Sequence, residues 1–158
     1  MSSMFAHTLL IIVQAASAPH LAPDAAQALV TLSHSLEAEA QRRVQDMARS
    51  PAAPVDALPV QDPFLTELSE FSLRTYQLSR AVDESGGPTD LRCIFRGMSE
   101  DAQHRADLLS HTATRADHAR VYQEVARLTG QAAEIAATPD AQAAALSAYS
   151  CPVEATDQ

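Results

Sequence analysis

Lysine is absent from this chain; all eleven basic residues are arginine. Schiff-base catalysis and a phosphate-loop lysine are therefore excluded. Lysine-free composition points to biased, GC-rich coding. Tryptophan is also absent and aromatics make up only 4% of the residues, so a core must be built from Leu, Val, Ile and Ala. With four glycines in 158 residues, there is no glycine-rich phosphate loop and no G-x-S-x-G nucleophile elbow. Two cysteines, Cys93 and Cys151, are too few for a disulfide framework or a zinc knuckle. Cys93 is expected as a small buried hydrophobe and Cys151 as an exposed bystander beside Pro152. This cysteine usage leads to a reducing, cytoplasmic setting as the expectation.

Positive charge is scarce. A formal net charge of −9 argues against nucleic-acid binding, which needs clustered basic residues, and the dispersed acids suit a solvated surface. Long apolar runs are scarce as well. Leu9-Leu10-Ile11-Ile12-Val13 is far shorter than the ~20 residues of a membrane span. A secretory leader is not expected either: none of the first seventeen residues is basic, and Pro19 follows Ala16-Ser17-Ala18. Residues 4–18 are predicted as a short helix, apolar nearly all round, that must be buried in its own core or in a partner.

Alanine is abundant, 46% of the residues are apolar and β-branched runs are few, which favours helices. Leu29, Leu32, Leu36, Ala40 and Met47 recur at helical spacing after Pro23-Asp24, a helix start. Phe64, Leu65, Leu68, Phe71 and Val82 form a second stripe, interrupted by Ser72, Thr75 and Ser79 and stopped by Ser85-Gly86-Gly87-Pro88. Leu91, Ile94, Phe95, Met98, Ala102 and Leu109 form a third, with Arg92, Arg96, Glu100, Gln103 and His104 on the opposite side. Val121, Val125, Leu128, Ala132 and Ile135 form a fourth, opened by Thr114 and Asp117 in capping-box spacing. That spacing predicts a break at residues 111–114 rather than one helix of about 70 Å. The expected architecture is all-α: a four-helix-type bundle with helices near residues 24–48, 62–83, 90–110 and 115–136. Short helices are expected at both ends, the last running through Tyr149. One domain spans residues 1–150, with a Pro-rich connector at 50–63, read as a lengthwise crossover or a mobile segment, and a tail at 151–158.

Three functional readings follow. A ferritin-like oxidase or storage protein holding iron, manganese or zinc would use Asp101 and His104, in acid-x-x-His spacing, with Glu67 or Glu70. Such a site needs that element twice, and it occurs once. Glu70, Glu100 and His104 point away from the apolar stripes, with Asp101 and Glu67 at their edges. His104, His111 and His118 cannot share an ion, because a seven-residue helical step separates neighbours by about 10 Å; they are expected as surface histidines. The second reading is a small-molecule-binding bundle, which leaves no local motif. The third, favoured because no catalytic pattern survives, is a non-catalytic interaction module: an adaptor, chaperone or regulator that binds a protein partner or self-associates. It needs no cofactor. Its candidate contacts are Phe5, Leu9 and Ile12 of the N-terminal segment, together with Arg43 and Arg105, which lie close to apolar stripes. Intramolecular pairing, with Glu39 and Asp101 for example, is the competing explanation for the two arginines.

Overall fold

The periodicities resolve into helices whose bounds all fall within one residue of expectation. The computed structural model describes residues 25–142, in the order α1 (Ala25–Met47), β1 (Pro54–Val55), α2 (Pro63–Glu84), α3 (Thr89–Leu109), β2 (Ala113–Thr114), α4 (Arg115–Ala136) and α5 (Pro139–Gln142). The expected N-terminal helix, with Phe5, Leu9 and Ile12, lies outside the described residues, as does most of the C-terminal one.

Local chemistry explains the ends. Pro63 occupies the first turn of α2, and Asp62 caps it by accepting from the Phe64 amide at 2.9 Å. Gly86, at φ 69°, terminates α2 by letting its own amide reach the Asp83 carbonyl at 3.0 Å and the Gly87 amide reach that of Val82 at 2.6 Å. Thr114 opens α4 with a reciprocal capping box: its hydroxyl accepts from the Asp117 amide at 3.1 Å, while the Asp117 carboxylate accepts from the Thr114 amide.

The four long helices pack as an all-α bundle, α1 chiefly against α4 and α2 against α3. Ser72 faces Ser99 and Ser79 faces Arg92, so α2 and α3 run antiparallel. Arg43 meets Tyr122 and Glu37 lies beside Gly130, so α1 and α4 do too. Contacts of Arg43 with Asp62 and of Arg105 with Glu124 complete an up-down-up-down order. Leu29, Leu36, Phe64, Phe71, Phe95, Leu109, Tyr122 and Val125 fill the centre, each fully or almost fully buried.

The connector neither travels the length of the bundle nor stands apart from it. It crosses one end. There Pro54 pairs with Thr114 and Val55 with Ala113 in a two-residue antiparallel ladder. The amides of Arg115, Ala116 and Leu58 donate to the carbonyls of Ala53, Pro51 and Leu109, each at 2.9 Å. The break between α3 and α4 is what exposes backbone for this pairing.

Candidate interaction surface

Arg43 lies near the apolar face of α1, as its sequence position implied, and its charge is consumed within the chain. It donates to Glu39 at 2.7 Å, to Asp62 at 3.0 Å and to the Tyr122 hydroxyl at 3.3 Å. Its guanidinium stacks 4.8 Å from the centre of the Phe64 ring. Burial works against this charge, but the hydrogen bonds it donates to Glu39, Tyr122 and Asp62 outweigh it and raise the pKa above the ordinary arginine value. For the Tyr122 hydroxyl, burial raises the pKa, against the pull of the Arg43 guanidinium beside it. The Arg42 guanidinium, with Arg43 adding to it, holds Glu39 below the usual carboxylate range. The cluster thus joins α1, α2 and α4 at the end the connector crosses. Arg105 is similarly committed, to Asp101 at 2.8 Å and to Glu124 of α4 at 3.4 Å.

The metal-reading residues do not converge. Glu70 is exposed and paired with Arg74, Asp101 is paired with Arg105, His104 is exposed and Glu67 is half-buried. Among the described residues no three His, Cys, Asp or Glu side chains are placed to hold an ion. His118 departs from expectation. It lies on the inward side of α4, 1% exposed, with its ring edge-on to Tyr122. Its Nε2–H donates to the His111 carbonyl at 3.1 Å, which leaves Nδ1 without a hydrogen-bond partner. Cys93 is not the simple buried hydrophobe expected; it is half-buried and disulfide-bonded. Arg92, expected on the outer side, instead pairs with Asp83 of α2.

The feature that periodicity missed is a trough on the outer side of the α2–α3 pair. Leu73 and Tyr76 of α2, 54% and 45% exposed, rise along it. A cavity of about 380 Å³ lies between them and Ala102, Gln103 and Ala106 of α3. Its floor is polar but satisfied: the Ser72 hydroxyl is 3.0 Å from both the Ser99 carbonyl and the Ser99 hydroxyl, and Gln103 donates to Ser72 at 3.0 Å. A second cavity of about 360 Å³, lined by Val60, Leu65, Thr66 and Ser110, shares Ser69 and Ala106 with the first. Neither has a charged residue in its lining. Leu73 and Tyr76 fall off the main stripe of α2; two large apolar residues three apart on the polar side were the available sequence signal.

No membrane-crossing helix, long and apolar enough for that role, occurs among the described residues. Compared with protein-family models, curated proteins and solved structures, the chain finds no match.

Proposed function

We propose that this chain is a non-catalytic helical interaction module, an adaptor, chaperone or regulator, that docks a protein partner along the α2–α3 trough. The observation that carries this reading is the exposure of Leu73 and Tyr76 beside an uncharged groove. Two helices with a depression between them offer the geometry into which an amphipathic partner helix lays its apolar face. An exposed tyrosine and leucine flanking a depression have the composition of interface anchors. Arg43 and Arg105 support such a surface indirectly, by fixing how the helices sit.

The test is capture of partners from the native host with the wild-type chain and with a Leu73→Asp/Tyr76→Asp variant whose circular dichroism is unchanged. A stoichiometric partner held by the first and lost by the second is expected; equal capture by both would refute the trough as the docking surface. One observation favours a second reading. A cavity of about 380 Å³ with hydroxyl and amide groups at its floor is in the size range of a small-ligand site. Native mass spectrometry of the purified chain tests this directly, a retained small molecule supporting it. The cytoplasmic setting rests on reduced cysteines, whereas Cys93 is disulfide-bonded. Alkylation at lysis followed by thiol counting decides the compartment's redox state.

A further inference from the structure

The groove between α2 and α3 suits a helix that carries a small apolar patch between polar ends, and α2 itself presents one. At ~100° per residue, Glu70, Leu73, Tyr76, Gln77 and Arg80 fall within an arc of about 120° on its outer side, and all five are exposed. Along the helix this face runs from an acid through two large apolar side chains to a base. Glu70 and Arg80 each have an intrahelical partner that leaves them capacity for another: Arg74 places both of its bonds on Oε1 of Glu70, and Arg80 gives Nη2 to Glu84 at 2.9 Å. These four charges cancel. The face is therefore neutral on a chain of net charge −9, and two copies meet there without opposing excess negative charge.

A two-fold axis gives this order its meaning. Glu70 and Arg80 lie equally far before and after Thr75. In an antiparallel pairing of two α2 helices centred on Thr75, each Glu70 faces the partner's Arg80, an attraction made twice, while Leu73 and Tyr76 of both copies fill the middle. Slid so that the centre falls at Gln77, the same helices would oppose Arg74 to Arg80 and Glu70 to Glu84, like against like. Charge thus selects one register. Leu73 and Tyr76 belong both to this face and to the lining of the larger cavity, so each copy's α2 covers the other's trough.

We propose that the occupant of the α2–α3 trough is a second copy of this chain, its α2 antiparallel to the first about a two-fold axis at Thr75, with Glu70 and Arg80 paired across the interface. This rests on the trough being the docking surface. Leu73 and Tyr76 make a small patch, so the dimer is a transient one, with a dissociation constant on the order of 0.1 mM.

The experiment is sedimentation of the full chain over about 0.01 to 1 mM, a range that brackets that constant, beside Glu70→Arg and Arg80→Glu variants, both at exposed positions whose substitution leaves the circular dichroism unchanged. The wild-type chain is expected to approach twice the mass of one copy as concentration rises. Each swap alone turns two attractions into two repulsions and should weaken the dimer about tenfold or more. An equimolar mixture of the two variants should restore wild-type association, because in the mixed pair the introduced arginine meets the introduced glutamate and one native Glu70–Arg80 pair remains. A monomer throughout the range, a dimer indifferent to the swaps, or a mixture no stronger than its components would each overturn the proposal. The Leu73→Asp/Tyr76→Asp capture is scored independently. A partner lost there from a chain that sediments as a monomer means that the trough docks a different protein, so the docking reading stands while this proposal falls; equal capture refutes the docking reading itself.

Discussion

At the scale of single residues, Asp62 carries two duties with one carboxylate, capping α2 through Oδ1 and receiving the Arg43 guanidinium on the same atom. Asp62→Ala should therefore cost about 1–3 kcal/mol, a lost cap plus one partner of a mostly buried cation. Asp62→Asn, which still accepts from the Phe64 amide, should recover part of that loss. Urea denaturation separates them, and equal losses would show that the cap contributes nothing. Arg43→Lys should fail to substitute, because an ammonium cannot serve Glu39, Asp62, Tyr122 and the Phe64 face from one position. Acidity acts here with a defined sign. Glu39 and Asp117 both have folded pKa values below their unfolded ones, the first through Arg42, the second through the Thr114 hydroxyl. Their stabilisation is fully present above the ordinary carboxylate range and is lost as pH falls through the folded values. Melting temperature should thus be level near neutrality and fall in acid, with a shallower fall in Glu39→Gln; an unchanged acid slope in that variant would remove Glu39 from the account.

At the scale of elements, the helices were legible because each buries one stripe, and the α3–α4 break because a hydroxyl and a carboxylate three residues apart have a specific use at a helix start. Arg43 and Arg105 were located near apolar faces from angle alone, yet angle does not say whether a cation there meets another protein or Glu39 and Asp101; the structure supplies the acids. The trough and the connector's path were illegible for a different reason. Both depend on which helix neighbours which, and no local pattern encodes that. The inward turn of His118, by contrast, was legible, since it lies three residues before Val121 and seven before Val125 on the same stripe. One element-level choice was not optimised: Gly97 lies exposed within α3, and a methyl group there would meet nothing within 4 Å. Gly97→Ala should stabilise by about 0.5–1 kcal/mol through helix propensity. Thr114→Ala should destabilise by about 1 kcal/mol through loss of the capping box. Thermal melts of the two variants should move in opposite directions, and a shift in the same direction would mean that propensity and capping do not govern these sites.

At the scale of the whole molecule, the stabilising contacts of the described residues are unequally placed along the bundle axis. The end reached by the C-termini of α1 and α3 holds the β1–β2 ladder, the Arg43 cluster, the side-chain caps of α2 and α4 and Arg115 bonded to the Asp46 and Met47 carbonyls. The ladder, the Arg43 cluster and the Arg115 bonds tie together stretches far apart in sequence, so releasing any one of them leaves others closing the same loops. Among the described residues, the opposite end joins α2 to α3 through a tight turn and the Arg92–Asp83 ion pair, joins α1 to α4 by side-chain packing, and carries the disulfide-bonded Cys93. With the Cys93 disulfide reduced, local opening should begin at that opposite end and spread toward the connector. Native-state hydrogen exchange measures this residue by residue. The amides of Leu58, Arg115 and Ala116, bonded to carbonyls of the connector or of α3 rather than within a helix, should exchange as slowly as the interior of α4 and more slowly than the first turns of α1 and the last turn of α2. If those three amides exchange at the rate of an open loop, the connector is not part of the cooperative unit and the clamp at that end has no energetic weight. If the gradient runs the other way, the helix pairs are held from the α2–α3 turn, and Arg92 rather than Arg43 becomes the residue whose removal should lower global stability.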